Sequence, residues 1–149
     1  MRAVITRVAW ARVRVEGVTI GEIGPGICAL VGVGREDSER DSDWLGDKIA
    51  QCRFFRDDHD KMNRSLLDVR GAVLAVSQFT LYGDMRKGNR PSFAAAMDPA
   101  LAEPLFERVC ARIRAAGITV QTGRFGAHME VESHNDGPVT LLLDSAKTF

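Results

Sequence analysis

Apolar and polar residues alternate over the first part of the chain, which is typical of β-strands. Residues Ala3 to Val15 alternate with a period of two and predict one strand, straight or bent near Trp10. Glu16-Gly17 predicts a turn, and the apolar positions from Val18 to Ile23 predict the returning strand of a hairpin. Ile27 to Val33 is a continuous apolar run, which indicates a strand buried on both faces.

Two later segments have the spacing of amphipathic helices. Ser38 predicts an N-cap, because acidic residues follow it in the first turns, where the helix dipole favours them. The apolar stripe of this helix consists of Trp44, Leu45, Ile49 and Cys52. Asp98-Pro99 opens a second helix that Gly117 ends, with Pro104 indicating either a later start near Glu103 or a bend. Its predicted stripe consists of Leu101, Leu105, Val109 and Ile113.

The remaining apolar runs predict further strands, of which Ala72 to Tyr82 has the strongest pattern. The others are Ile118 to Val120, Arg124 to Val131 and Val139 to Leu143. The resulting order is strands, helix, strand, helix, strands. We therefore predict an α/β fold of layered mixed sheets with two main helices packed on one side, rather than a doubly wound fold.

Composition narrows the class of protein. The chain has 149 residues, which fits a single domain spanning 1–149. It is 45% hydrophobic and 27% charged, close to globular averages, so a disordered or fibrous class is excluded. Its apolar stretches are about half the ~20 residues of a membrane-spanning helix, and its first residues lack the features of a signal peptide. Three widely spaced cysteines favour neither disulfides nor a metal site, so we expect a soluble cytoplasmic domain.

Charge is balanced in total but uneven along the chain. The net charge is zero, yet sixteen of the twenty basic residues are arginine, whose planar fork suits phosphate. Bases without acids occur in residues 1–15 and again over Arg86-Lys87-Gly88-Asn89-Arg90, whereas residues 36–60 hold nine acids and four bases. Two interpretations remain open. The clusters are ordinary solvated surface, or one face contacts a phosphate backbone while an acidic face points away.

Several kinds of enzyme site are excluded by missing motifs. The sequence contains neither GxGxxG nor GxxxxGK[ST], the glycine loops that cradle nucleotide phosphates. It also lacks HExxH and any pair of histidines at helical spacing, so we expect neither a nucleotide cofactor nor a metal site built by the protein. What remains are two polar segments set in apolar surroundings.

The first segment is Ser77-Gln78-Phe79-Thr80, which places polar side chains inside the strongest predicted strand. In an unbroken strand Ser77 and Phe79 share one face, and Gln78 and Thr80 share the other. A serine or threonine nucleophile needs a base, and no histidine or lysine is adjacent in sequence. This segment therefore either satisfies neighbouring backbone groups or positions a substrate.

The second segment is Asn135-Asp136-Gly137-Pro138-Val139-Thr140. Its residue types predict a turn leading into the last strand. A Gly-Pro bond can also be cis at modest cost, and a cis bond would place both carbonyls on one side as a rigid pair of acceptors.

Together these two segments resemble the two signature motifs of the D-aminoacyl-tRNA deacylases. The resemblance covers essentially the whole chain, because further segments match that family in order and spacing. They are Ile5-Thr6-Arg7-Val8, Lys61-Met62-Asn63, Lys87-Gly88-Asn89-Arg90-Pro91-Ser92-Phe93 and Thr122-Gly123-Arg124-Phe125-Gly126-Ala127-His128-Met129.

The resemblance implies a cytoplasmic homodimer, without metal or organic cofactor, that hydrolyses the ester of D-aminoacyl-tRNA and glycyl-tRNA. It implies no membrane and no DNA as partners. Gly137 and Pro138 of one subunit are expected to reach into the other subunit's site, where their carbonyls exclude an L side chain. Catalysis is expected to use the 2′-hydroxyl of the terminal ribose, with Thr80 as nucleophile the lesser alternative.

Site residues follow from the resemblance in the same way. Ser77, Gln78, Phe79 and Thr80 are expected to bind the aminoacyl end and the terminal adenosine. Pocket positions are expected at Met129, Arg7 and Phe125. Phosphates of the acceptor stem are expected to contact Arg86, Lys87 and Arg90. Arg7 and Arg124 are expected either to join these phosphate contacts or to brace the pocket by hydrogen bonding.

Two other functions stay open at this stage. One is a different ester or amide hydrolase, using Thr80 or Ser77 with His128 or His134. The other is a non-catalytic tRNA-binding or oligomeric module. Hydrolysis of a free amino-acid ester without RNA would favour the first, and binding of tRNA without turnover would favour the second.

Overall fold

A computed structural model describes residues 1–148 of the chain and shows a mixed sheet covered by two helices. The main sheet has six strands: β1 Arg2–Val15, β2 Val18–Ile23, β3 Gly26–Gly32, β6 Ala72–Ser77, β7 Val120–Thr122 and β8 Glu130–Asp144. A separate small hairpin consists of β4 Phe55–Arg56 and β5 Met62–Arg64. The helices are α1 Glu39–Gln51, α2 Pro99–Ala115 and a short 3₁₀ helix, Phe79–Tyr82, called here the 79–82 turn.

Strand β1 organises the sheet because it pairs with three others. Its first half pairs with β3 and its second half with β2, so it changes partner between Val8 and Ala11, close to Trp10. Its other edge pairs with β8 over nearly its whole length. The bend carries β2 over β7, where a Cβ placed on Gly21 would lie 2.8 Å from the carbonyl oxygen of Thr122. The sheet is therefore nearly closed.

Two apolar cores separate the layers. The larger core lies between the helices and one sheet face, and its fully buried members include Ile5, Ile27, Leu45, Ile49, Val109 and Ile113. The smaller core lies against the opposite face, and its buried members are Val8, Ala11, Val13, Ile23, Cys28, Leu74 and Val76. Helices, sheet and folded-over strands thus form three layers, an α/β/β sandwich, which confirms the predicted α/β fold of layered mixed sheets with two helices on one side.

Helix α1 begins where the sequence predicts. Ser38 is the N-cap, and its backbone N–H donates to the carboxylate of Asp41 at 2.9 Å. Leu45 and Ile49 of the predicted stripe are fully buried, while Trp44 lies at the edge of the core. Local capping and apolar spacing are therefore enough to define this helix.

Helix α2 confirms part of the predicted buried stripe and differs from it at the start of the helix. It begins at Pro99, so Pro104 lies inside it and the later start is wrong. Leu101, assigned to the buried stripe, has 65% of its surface exposed. Val109 and Ile113 of the predicted stripe are fully buried, and Leu105 packs against the core. The other buried positions of the helix are Ala102, Phe106 and Cys110. Alanine is small and only weakly apolar, so the sequence pattern favoured the leucine at position 101 over the alanine at position 102 as the buried residue.

The acid-rich segment does not form a free acidic face. Asp43 and Asp47 of α1 form bidentate ion pairs with Arg108 and Arg112 of α2, at 2.7–3.1 Å. Glu39 adds a third contact to Arg108 at 3.0 Å. These pairs are partly exposed and tie the two helices together, so much of the local charge is compensated within the chain.

The strand predicted over residues 72–82 ends early. β6 stops at Ser77, and the 79–82 turn follows after Gln78. Gln78 N–H still donates to the carbonyl of Val31 at 2.7 Å, but β3 itself ends at Gly32, so the neighbouring strand offers no further partners. The expected alternation of faces over Ser77 to Thr80 is therefore wrong.

Two other boundaries also differ. Residues 124–129 form a turn and loop around Gly126, whose φ is +73°, and the strand begins only at Glu130. The segment Asn135 to Thr140 is not a hairpin turn but lies within the continuous strand β8. Thr6 pairs with Thr140 and Val8 with Asn135, so a single β1 residue, Arg7, faces residues 136–139, which bulge out of the ladder.

Candidate active site

A cleft of about 840 Å³ opens at the carboxyl ends of the parallel strands β3 and β6. This edge of a parallel sheet is where open α/β folds bind ligands. One wall is the start of α2, and another is the loop that precedes β8. Five of the predicted site residues line the cleft together: Ser77, Gln78, Phe79, Phe125 and Met129.

The motif Ser77 to Thr80 turns a corner at the cleft. The side-chain amide of Gln78 donates a close hydrogen bond to the hydroxyl oxygen of Thr80. Phe79 has 57% of its surface exposed and meets Phe93 edge to face, with ring centroids 5.1 Å apart. The corner thus presents an aromatic surface together with backbone groups that can bind a substrate.

No base activates a nucleophile at this corner. Within residues 1–148, the hydrogen-bond partner of the Thr80 hydroxyl is the Gln78 amide, which cannot accept a proton. His128 lines the cleft with Ser77, but no hydrogen bond joins them in the described part of the chain. His134 lies on β8 and packs edge to face against Trp10, at 6.5 Å. The arrangement therefore fits positioning better than nucleophilic attack.

Phe125 and Met129 shape the side of the cleft. Phe125 packs against Phe106 of α2, with ring centroids 6.0 Å apart. Met129 packs on the smaller core, and a Cβ placed on Gly123 would collide with its sulfur. Glycine at position 123 therefore lets the thioether lie flat beside the cleft.

Arg7 does not line this cleft, contrary to the pocket position expected for it. Its side chain is 3% exposed, and its guanidinium donates to the carbonyl of Phe54 at 3.0 Å. The same group contacts both the carbonyl and the carboxylate of Asp136 at 3.1 Å. Arg7 is thus a buried brace for the bulge in β8, and burial removes it from the candidates for phosphate contact.

The bulge carries the Gly137–Pro138 peptide, which is cis. The side chain of Asn135 accepts from Val139 N–H at 3.1 Å and closes the bulge. Gly137 has φ +137°, and a Cβ there would lie 2.6 Å from the Val139 side chain and 3.1 Å from Arg7. Both Gly137 and Pro138 are exposed, and among the described residues the lining of the cleft includes neither.

The basic cluster lies on a small loop whose ends are joined by a bridge between Asp84 and Ser92. Arg86 is not free, because its guanidinium binds the Asp84 carboxylate at 2.7 and 2.9 Å. This pairing holds the pKa of Asp84 well below its usual range. Lys87 and Arg90 are exposed on the loop, and no ion pair engages either of them within residues 1–148.

Arg124 lies apart from that loop. It lines a smaller pocket of about 340 Å³, which adjoins the cleft because Ala127 and His128 line both. Arg14 also lines this pocket, as do two acids, so the local charge is mixed. Arg124 is therefore next to the cleft, at a distance in sequence from the other predicted phosphate contacts.

The sequence analysis gave no site role to several cleft residues, among them Leu101, Phe93 and Arg35. Leu101 was assigned to the helix core, and Phe93 matched the family pattern without receiving a role. Arg35 lies in the turn that follows β3, and no pattern in the sequence pointed to it. The described residues contain no group of three or more His, Cys, Asp or Glu side chains that could hold a metal ion, and no helix among them is long and apolar enough to cross a membrane.

Comparison with known proteins gives consistent matches over the full chain. The family model described as D-Tyr-tRNA(Tyr) deacylase matches residues 4–144. A D-aminoacyl-tRNA deacylase of Symbiobacterium thermophilum is 58% identical over 149 residues, covering 100% of this chain and 99% of the relative. One of Thermotoga petrophila is 52% identical and covers 100% of both.

Two solved structures are also similar. One, titled c-Myc DNA Unwinding Element Binding Protein, has 39% identity and a TM-score of 0.90, and the match covers 97% of this chain and 99% of that one. The other, titled as a probable eukaryotic D-amino acid tRNA deacylase, has a TM-score of 0.81, with 95% and 97% covered. At 16% identity the second match shows the fold alone.

Proposed function

The chain belongs to the D-Tyr-tRNA(Tyr) deacylase family, and on that premise we propose how its residues select and cleave the substrate. It is a D-aminoacyl-tRNA deacylase, a hydrolase that acts on aminoacyl-tRNA. We propose that it works in the cytoplasm as a homodimer, without a cofactor, and that it removes glycine as well as D-amino acids. The observation that carries the proposal is the position of the Gly137–Pro138 bulge outside the chain's own cleft.

The proposed basis of selectivity is exclusion of the L side chain. Inverting the α-carbon exchanges the hydrogen and the side chain, so fixed carbonyl oxygens on one side collide with L substrates only. Gly137 and Pro138 supply such a pair, called here the carbonyl gate. Arg7 and Asn135 brace the bulge that carries it, through hydrogen bonds to Asp136 and Val139. The α-carbon of glycine carries hydrogen on both sides, so glycine does not collide with the carbonyl pair. This is why glycyl-tRNA is included among the substrates.

In a homodimer, the carbonyl gate of one copy can reach the cleft of the other copy. β8 is fifteen residues long, and among the described strands it pairs only with β1, so its other edge is free. Long edges of this kind are usually covered in native proteins. Leu142 on this strand has 60% of its surface exposed, and Leu141 has 42%. We propose that a second copy covers β8 and receives the bulge in its cleft.

Hydrolysis is proposed to use the RNA itself. Since no base among residues 1–148 contacts Ser77 or Thr80, the 2′-hydroxyl of the terminal ribose is the group best placed to activate water beside the ester. The protein then contributes position and dipoles, with backbone groups near Phe79 holding the substrate amine and the developing oxyanion.

Replacing Thr80 with alanine tests the lesser mechanism. If Thr80 only positions the corner through Gln78, single-turnover hydrolysis of D-tyrosyl-tRNA by Thr80→Ala falls by less than about 10-fold. A nucleophile would cost about a million-fold. Thr19→Ala, an exposed threonine on β2, is the matched control. Complete loss of cleavage with substrate binding intact would assign the nucleophile to Thr80.

The tRNA phosphates are proposed to contact Lys87, Arg90 and Arg124. In Lys87→Gln/Arg90→Gln, the slope of log affinity against log salt falls by about 1 to 2, because each phosphate contact contributes about one counterion. Arg86→Gln is the matched control, with a smaller effect, since Asp84 already neutralises Arg86. Filter binding of deacylated tRNA at several salt concentrations measures both, and an unchanged slope in the double variant contradicts the assignment.

A further inference from the structure

The 79–82 turn carries part of the site but is not held by burial. None of its four residues is buried, and Phe79 and Thr80 are exposed. Its own hydrogen bonds are Leu81 N–H to Gln78 at 3.3 Å and Gly83 N–H to Thr80 at 2.9 Å. A single 3₁₀ turn is not stable alone, so its orientation depends on its anchors.

The end of the turn is anchored by a hydroxyl. Tyr82 Oη donates to Asp37 Oδ2 at 3.0 Å, across 45 positions of sequence. The Asp37 carboxylate is only 10% exposed, and it also accepts from Gly34 N–H and from the α-amino group of Met1, each at 2.5 Å. Burial and the Asp37 charge raise the pKa of Tyr82, so its hydroxyl remains a donor.

The tyrosine ring and the residue before the turn pack closely against two glycines. A Cβ on Gly34 would lie 2.6 Å from ring carbons of Tyr82, and one on Gly32 would lie 2.8 Å from the Gln78 carbonyl. Arg2 covers the ring with its guanidinium 4.7 Å from the centroid, and it donates to the Leu81 carbonyl at 3.2 Å. A phenylalanine ring therefore fits the same space, so that loss of the hydroxyl removes one anchor of the turn without leaving a cavity.

We propose that Tyr82 and Asp37 are a positioning pair, whose hydrogen bond sets the orientation of Phe79 and Thr80 at the cleft. Neither side chain touches the substrate. They act through the 79–82 turn, which is fixed at its start by the bond between Gln78 and Val31 and at its end by the bond between Tyr82 and Asp37. The catalytic consequence rests on the proposed function, whereas the anchoring does not.

The test is Tyr82→Phe, which deletes the hydroxyl and keeps the ring. The turn then samples misplaced orientations, so kcat for D-tyrosyl-tRNA falls about 10-fold. KM stays within about 2-fold, because the tRNA contacts are unchanged. Native-state hydrogen exchange at the Gly83 amide, which closes the turn onto Thr80, becomes at least about 5-fold faster, since local opening is easier. Exchange at Val76 in the adjoining strand does not change.

Ser65→Ala is the matched control, because Ser65 also donates a hydroxyl to a carboxylate, that of Asp68 at 2.8 Å, in another loop. It leaves kcat and exchange at Gly83 unaltered. Unchanged exchange at Gly83 in Tyr82→Phe overturns the anchoring, and unchanged kcat with faster exchange overturns the catalytic role. If the wild-type protein itself fails to cleave D-tyrosyl-tRNA, the proposed function fails, and exchange at Gly83 still decides whether the hydroxyl anchors the turn.

Discussion

Gly137→Ala is expected to lower the preference for D- over L-tyrosyl-tRNA by about 100-fold, because it displaces the carbonyl pair by a fraction of an ångström or more. The added Cβ would lie 2.6 Å from the Val139 side chain and 2.9 Å from the Val139 nitrogen. It also meets the Arg7 guanidinium at 3.1 Å, and a buried brace cannot move freely. The φ of +137° adds backbone strain for any L residue.

Gly88→Ala is the matched control for Gly137→Ala. Gly88 has the same φ of +137°, but nothing lies within 4 Å of a Cβ placed there. Rates on D- and L-tyrosyl-tRNA are compared for each variant, with sedimentation velocity showing that the state of association equals that of the wild type. Undiminished selectivity in Gly137→Ala, or an equal loss in Gly88→Ala, contradicts the assignment of the gate to the bulge.

The second large effect on the rate of cleavage is expected from a change in the substrate rather than in the protein. D-tyrosyl-tRNA with a 2′-deoxy terminal adenosine is predicted to be cleaved about 100- to 10,000-fold more slowly, the range that a positioned acid-base group contributes. The reason is the absence of a base at Thr80, whose hydroxyl contacts only the Gln78 amide among the described residues. Single-turnover rates at saturating enzyme separate this effect from binding.

The control for the deoxy substrate lacks the 2′-hydroxyl of the neighbouring nucleotide instead. A 2′-deoxy residue at the penultimate position leaves the hydroxyl beside the ester intact, so its cleavage is expected to match that of the unmodified substrate. Equal rates for all three substrates would show that the protein activates water without the RNA. His128, which lines the cleft with Ser77, would then be the candidate base.

Features set by neighbouring residues could be predicted from the sequence. Helix α1 begins after Ser38 because the cap and its partner Asp41 are three residues apart. The strand Ile27 to Val33 follows from its unbroken apolar run, and it is buried as expected. The two motifs identified the family, since each is contiguous along the chain.

Features set by distant residues could not be predicted. Phe79 and Leu81 continue the apolar alternation of β6, but the strand ends because β3 ends at Gly32 and because Tyr82 bonds to Asp37. Neither cause is visible near residue 80 in the sequence. The local pattern therefore predicted a strand where the site needs a corner.

The structures of the bulge and of the basic loop also depend on contacts that the local sequence pattern does not show. Asn135 to Pro138 has the residues of a turn, and only pairing with β1 on both sides of Arg7 makes it a bulge within a strand. Arg86 belongs to a basic run, but Asp84 at its border folds back onto it. Charge counted along a segment therefore overstates the charge that the loop offers to a ligand.

We propose that the carbonyl gate formed by Gly137 and Pro138 separates D- from L-aminoacyl esters of tRNA. The most direct measurement is hydrolysis of matched D-tyrosyl-, L-tyrosyl- and glycyl-tRNA by the purified wild-type protein at nanomolar concentration. Rapid loss of the D-tyrosyl and glycyl esters, with the L-tyrosyl ester spared, is the predicted result. Loss of all three would show that no such gate operates. Survival of all three would contradict the hydrolysis itself and would favour the alternative of a tRNA-binding module.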